Sequence, residues 1–144
     1  MKKSNENKST NLNRRDFVKK TALASSVFII PRHVLGGPGF IAPSDRLNIA
    51  AIGAGGKGIS DIKNASVMGR ERVAALCDVD FTGTAAKSVE NFPKAKLYDD
   101  FRVMLDKKKN IDAVTISTPD HVHGPAAKWA MERGIHVYVQ KPMT

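Results

Sequence analysis

Three glycines in the order G-x-G-x-x-G (Gly53, Gly55 and Gly58) follow directly on the apolar run Leu47-Asn48-Ile49-Ala50-Ala51-Ile52. If a dinucleotide binds at such a turn, each glycine has a physical task. The first permits the sharp exit from a strand, the second has no Cβ to hold a pyrophosphate away, and the third lets the next helix pack closely on the sheet. Gly56 and Lys57 lie in the same loop and are grouped with them as cofactor-contacting residues. The following helix would aim free N–H groups and its positive dipole end at the phosphates. Glycine-rich turns are common, so the context matters: a second strand, Arg72–Leu76, ends in Cys77-Asp78. Asp78 stands twenty positions past Gly58, where an acidic residue meets the adenosine ribose hydroxyls. Its charge would repel a 2′-phosphate, and no arginine follows in 79–84, which favours NAD over NADP. Two more segments could carry chemistry, Thr118-Pro119-Asp120-His121-Val122-His123 and Gln140-Lys141-Pro142. Lys141 is the only ammonium at a strand terminus there, able to donate to a substrate hydroxyl or carbonyl oxygen; a solvent-exposed lysine is the plainer alternative.

The elements that must position these residues alternate from Leu47 onward. Strands are expected at 47–52, 72–77, 96–98, 111–117 and 135–139. Helices are expected at 57–68, 81–91, 101–108 and 125–133, the last stopping at Gly134. The fourth strand, Ile111 to Ser117, is β-branched and nearly continuous, as a strand covered on both faces should be. Strand and helix in strict alternation imply an α/β protein, a Rossmann-type doubly wound parallel sheet of order 3-2-1-4-5. Its ligand crevice would open between strands one and four, outside the strands' carboxyl ends.

Residues 46–144 hold this domain, and residues 1–45 read as something else. Met1 to Asn13 is polar and without apolar periodicity. Asn13-Arg14-Arg15-Asp16-Phe17-Val18-Lys19-Lys20, followed by the mildly apolar run Thr21 to Ile30, resembles a twin-arginine export signal, with Asn13 and Val18 as conservative departures. An amphipathic basic helix is the alternative. The apolar run is too short to span a bilayer, and a Gly/Pro-rich linker follows it, in which His33 has no assigned role. The net charge of +9 divides unevenly: residues 1–45 carry eight Lys or Arg against three acids, and the remainder fifteen against eleven. That distribution suits a basic leader and argues against nucleic-acid binding. Lys107-Lys108-Lys109 closes a helical pattern, where cations favour the negative dipole end. The single cysteine, Cys77, excludes an internal disulfide and a cysteine-cluster metal site, and no metal is expected.

Taken together, the glycine loop, Cys77-Asp78, Thr118-Pro119-x-x-x-His123 and His136-Val137-x-x-Gln140-Lys141-Pro142 resemble the glucose–fructose oxidoreductase / inositol dehydrogenase (Gfo/Idh/MocA) family over about residues 47–144. The resemblance implies an N-terminal nicotinamide-dinucleotide domain, a C-terminal α/β substrate domain, and oxidation or reduction of a sugar or polyol. It places Gly53, Gly55 and Gly58 at the pyrophosphate, Asp78 at the adenosine ribose, and Thr118, Pro119 and His123 along the cofactor's middle and nicotinamide end. Lys141 matches the lysine of the family's Glu-Lys-Pro motif, beside nicotinamide and substrate. His121 falls on a variable position and His136 on a structural one. Two departures follow. Gln140 stands where the family usually has glutamate, and the chain stops at Thr144, before the substrate domain and its acid–base pair.

The expectation is therefore the NAD-binding half of an exported, periplasmic oxidoreductase, C-terminally truncated and without turnover by itself. Its partners would be a sugar or polyol held by the absent domain, the twin-arginine translocase, and further copies of itself in the full-length parent. An NAD-dependent glycosidase of the same architecture and a non-catalytic dinucleotide-binding module are the alternatives. Strand five would form a bare apolar sheet edge.

Overall fold

The computed structural model describes residues 41–143. The doubled arginine, the apolar run behind it and the linker to residue 40 lie outside the described residues. Five strands, β1 (Asn48–Ile52), β2 (Arg72–Cys77), β3 (Lys96–Tyr98), β4 (Ala113–Ile116) and β5 (His136–Val139), form one parallel sheet in the order β3-β2-β1-β4-β5. This is the doubly wound order expected from the alternation, with β1 central between β2 and β4. The pairing carries past the strand ends. Gly53 N–H donates to the Cys77 carbonyl (2.8 Å), Asp78 N–H to Tyr98 (3.1 Å), Ser117 N–H to Ile52 (2.8 Å) and Gln140 N–H to Ile116 (2.9 Å). Four chain segments are thereby brought to one edge of the sheet.

Helices cover both faces. On one, α1 (Lys57–Ala65) buries Ile62 against Ile49, Ala51, Val73 and Leu76, beside α2 (Ala86–Asn91). On the other, α3 (Phe101–Lys107) and α4 (Asp120–Met131) bury Met104, Leu105, Ala126 and Ala130 against Ala50, Ile52, Ala75, Val114 and Ile116. The alanines of β1 and β2 are at most 3% exposed, so the small side chains at the sheet centre leave room for helices close on both sides. β5 forms one outer edge, and Tyr138 in it is 57% exposed.

All four helices depart from their expected bounds, α3 only by ending at Lys107 rather than Lys108. α1 stops at Ala65, three residues short of Met68. The buried Ser66 hydroxyl turns back onto the Lys63 carbonyl (2.8 Å), and a 3₁₀ turn, Val67–Gly69, follows. α2 begins at Ala86 rather than Phe81, because the Asp80 carboxylate accepts from the N–H groups of Gly83 and Thr84 (2.9 Å each) and holds the intervening chain in turns. α4 begins at Asp120, five residues before Pro125, and ends at Met131 rather than Arg133. Inside a helix Pro125 removes one N–H, and the carbonyl deprived of it belongs to His121 at an exposed position in the first turns, where water can replace the bond. β1, β4 and β5 are also shorter than expected: Leu47, Ile111, Asp112, Ser117 and Ile135 lie outside the ladder.

Candidate functional site

The loop after β1 is shaped by what its glycines lack. Gly53 has φ +80°, and a Cβ there would stand 2.7 Å from the Ser117 backbone; a Cβ on Gly55 would stand 2.8 Å from Thr84 Oγ1. A Cβ on Gly58 would lie 1.9 Å from the Gly53 carbonyl oxygen, so strand and helix meet with no space for a methyl group. Gly56 also has positive φ (+52°) and is exposed at the cap of α1. Asp78 reaches this loop: its Oδ2 accepts the Gly55 N–H at 2.9 Å, and its Oδ1 accepts the Asp80 N–H at 3.1 Å. The carboxylate thus stands at the mouth of the glycine turn, held in orientation by two backbone donors.

A cleft of about 470 Å³ opens between these segments. Gly53, Gly55, Gly56 and Asp78 line it together with Ser117, Thr118, Pro119 and Val122 on the β4 side and Val79, Thr84, Asp99 and Phe101 on the β2 side. Ile52 and Cys77 form its floor, and its position between β1 and β4 is the reversal point of strand order, where such sheets take ligands. The Thr118 hydroxyl at the wall is buried with no hydrogen-bond partner among the described residues. Burial pushes the Cys77 thiol up to about 12, with the charges of Asp100, Asp78 and Asp99 acting the same way, so it is inert as a nucleophile.

The remaining residues singled out from the sequence lie outside the cleft wall. Lys57 turns away from the loop mouth and pairs with Asp61 one helical turn on. His123 is 2% exposed, with Nδ1 2.9 Å from the Pro142 carbonyl oxygen and Nε2 2.9 Å from that of Thr118. Both partners are carbonyl oxygens, which only accept, so a neutral ring donates to one of them: as the Nδ1–H tautomer it ties α4 to the segment after β5, and as the Nε2–H tautomer it closes back on Thr118. Lys141 is exposed past the end of β5, with no hydrogen bond or ion pair among the described residues. Asp120 and His121 are exposed in the first turn of α4, and His136 is exposed on β5.

Sequence reasoning missed Asp61, which is 5% exposed. It accepts from Lys57 Nζ, from Ser117 Oγ (2.7 Å) and from Gln140 Nε2 (2.9 Å). Burial alone would raise its pKa, but the hydrogen bonds from Lys57, Ser117 and Gln140 and the Lys57 charge outweigh it, so the carboxyl is held below the usual carboxylate range. The available signal was spacing: three residues after Gly58, whose backbone packs on the sheet, position 61 must share that buried face. Asp99 and Thr84, on the β2 side of the cleft with Thr84 against the glycine loop, had no sequence signature of their own.

A doubly wound sheet with this glycine cradle and a carboxylate at its mouth is a dinucleotide-binding fold. The chain's residues 47–144 match the profile described as "Oxidoreductase family, NAD-binding Rossmann fold", and the chain belongs to that Gfo/Idh/MocA family. Among curated proteins it is similar to a protein named "Glycosyl hydrolase family 109 protein" from Shewanella pealeana, 28% identical over 155 aligned residues that cover 92% of this chain and 34% of that protein. The chain therefore spans about a third of that relative's length. Among solved structures it is similar to myo-inositol dehydrogenase from Lactobacillus casei, solved with NAD(H) and myo-inositol. The TM-score is 0.59 and the identity 25%, over 67% of this chain and 29% of that one. The WlbA dehydrogenase from Chromobacterium violaceum, solved with NADH and UDP-GlcNAcA, also gives a TM-score of 0.59 at 25% identity, over 69% of this chain and 30% of that one.

The residues present fit NAD. At Gly53, Gly55 and Gly58 the cradle leaves no room for a Cβ, the carboxylate stands at its mouth, and a hydroxyl unpartnered among the described residues sits in the wall.

Proposed function

We propose that this chain is the NAD-binding part of an exported oxidoreductase acting on a hydroxyl or carbonyl carbon of a sugar or polyol. The observation that carries the reading is the pairing of Gly55 N–H with Asp78 Oδ2 at the mouth of a cleft whose cradle is bare backbone. When bound, NAD supplies the capacity to accept or return two electrons and a proton equivalent at the substrate carbon. The N–H groups of Gly53, Gly55, Gly58 and Ile59 are taken up within the chain, so those of Gly56 and Lys57 at the start of α1 would hold the diphosphate. Asp78 accepts from the adenosine ribose hydroxyls, and its charge opposes a 2′-phosphate, with Asp99 on the same cleft wall adding to that opposition. Thr118 and Pro119 bound the cleft on the side toward β5. Lys141 polarises the reacting oxygen through its ammonium and takes part in holding the proton there.

NADH titration of the purified chain by fluorescence tests the reading. Wild type should bind NADH more tightly than NADPH. Asp78→Ala should weaken NADH by about tenfold or more, the loss of one or two charge-assisted hydrogen bonds, while affecting NADPH less. Equal affinity for the two cofactors in wild type, or no change in Asp78→Ala, would refute it.

A second reading is favoured by one observation, the name of the curated relatives: a glycosidase that oxidises a sugar carbon transiently and restores it after the glycosidic bond is broken. Both readings use the same cleft and the same lysine. Release of nitrophenol from an aryl glycoside with no net NADH would support the glycosidase, and accumulation of NADH with a free sugar or polyol would support the dehydrogenase.

Export and a periplasmic location belong to the same proposal. Its support is the run Asn13-Arg14-Arg15-Asp16-Phe17 with its short apolar sequel, together with a similarity to the Shewanella protein that covers 92% of this chain and so extends into the leader. Assembly with the twin-arginine translocase and into homo-oligomers follows from that reading and from the family resemblance.

A further inference from the structure

Lys141 lies between two clamps that reach it from opposite faces of the sheet. From α4, His123 Nδ1 stands 2.9 Å from the Pro142 carbonyl oxygen and donates to it in the Nδ1–H tautomer; from α1, the Asp61 carboxylate holds the side-chain amide of Gln140, whose own N–H is fixed on the Ile116 carbonyl. The second clamp also reaches the glycine loop, because the same Asp61 Oδ2 accepts the Ser117 hydroxyl and the Ser117 backbone lies against Gly53. We infer that Asp61 is a positioning residue for Lys141, acting through Gln140, and that an amide is required at position 140 because a buried carboxylate stands opposite it. The inference rests on the reading of Lys141 given above.

The chemistry sets the requirement. Asp61 is an acceptor on both oxygens, and its neighbours supply donors only: Lys57 Nζ on Oδ1, Ser117 Oγ and Gln140 Nε2 on Oδ2. The groups facing it are Lys57 and Asn64 from its own helix, Ser117 past β4, Gln140 past β5, and Tyr138 of β5 across a hollow of about 320 Å³. Among these the single cation is Lys57, whose side chain is 61% exposed. A glutamate at position 140 would bring a second carboxylate into hydrogen-bond range of Asp61 with no proton between them. One of the pair would have to take up a proton or swing away, carrying the Lys141 backbone with it.

The test exchanges the pair in the chain as it stands. Amide hydrogen exchange is followed by mass spectrometry in the peptide covering residues 139–143, relative to wild type at the same pH, with β1 as internal control. Gln140→Glu should speed exchange there by about tenfold or more at pH 8 and by much less at pH 5, where the carboxyl pair can share a proton. The double variant Asp61→Asn/Gln140→Glu restores one amide and one carboxylate in reversed order and should return to within about twofold of wild type at both pH values. If Gln140→Glu fails to fold, Gln140→Ala replaces it, with the same local loss of protection expected at both pH values and β1 unchanged. Wild-type exchange in either single variant, or a double variant no better protected than Gln140→Glu, overturns the inference. An NADH titration of the same samples separates this result from the cofactor reading. Wild type that binds no NADH would count against the cofactor, while the exchange pattern still decides for or against Asp61.

Discussion

At the scale of single residues, the cofactor cradle is defined by missing atoms. The Gly58 position leaves 1.9 Å between an added Cβ and the Gly53 carbonyl oxygen, and neither partner is a flexible side chain that could yield. Gly58→Ala is therefore expected to cost about 3 kcal/mol or more of stability, read as a shift in urea midpoint at unchanged slope. A midpoint within error of wild type would show that strand and helix can separate without cost. The three glycines and Asp78 were legible in the sequence because their constraint is local, a turn and a fixed distance along the chain. Asp61 was not, because its partners Ser117 and Gln140 lie 56 and 79 residues away and only the folded sheet brings them within 3 Å. A Lys–Asp pair at i,i+4 reads from sequence as a solvated helix face, and here it is the edge of a buried network.

At the scale of elements, strand order and both helical layers could be read from the alternation of patterns, since a parallel sheet covered on both faces leaves few topologies. Helix ends could not, and the reasons are specific side chains: Ser66 folding back on Lys63, and Asp80 capturing the N–H groups of Gly83 and Thr84. Those two backbone bonds, Thr84 first and then Gly83, hold the Asp80 carboxyl below its ordinary range. The turn they stabilise is thus fully formed at neutral pH and loosens only as pH falls through that lowered value. The exit of α1 carries strain as well. Val67 has φ +48°, a region that a β-branched residue enters only at a cost, and its side chain is 54% exposed, with little packing to lose. Val67→Gly should raise stability by about 0.5–1 kcal/mol, the release of left-handed strain less the added freedom of the unfolded chain, seen as a higher melting temperature. A lower one would mean that the Val67 side chain contributes more through packing than its exposure suggests.

At the scale of the whole molecule, the chain joins a basic N-terminal segment to a sheet with its cleft at the carboxyl ends of the strands. If the leader directs export of folded protein, Arg14→Lys/Arg15→Lys should keep nearly all of the protein in the cytoplasmic fraction without changing NADH affinity, because the leader lies outside the cradle's residues. Equal periplasmic amounts of the two forms would refute the export reading. The edge strand β5 pairs only with β4 among the described residues, and its outward Tyr138, with Met131 and Met143 nearby in the chain, leaves apolar surface in view. Cys77 bears on the same compartment question from the inside of the fold. With its thiol pushed up to about 12 by burial, Cys77 stays protonated at neutral pH, and its sulfur is buried in the cleft floor. The folded protein is therefore expected to keep its thiol reduced in air without added reductant and to show no sulfur-linked dimers on a non-reducing gel.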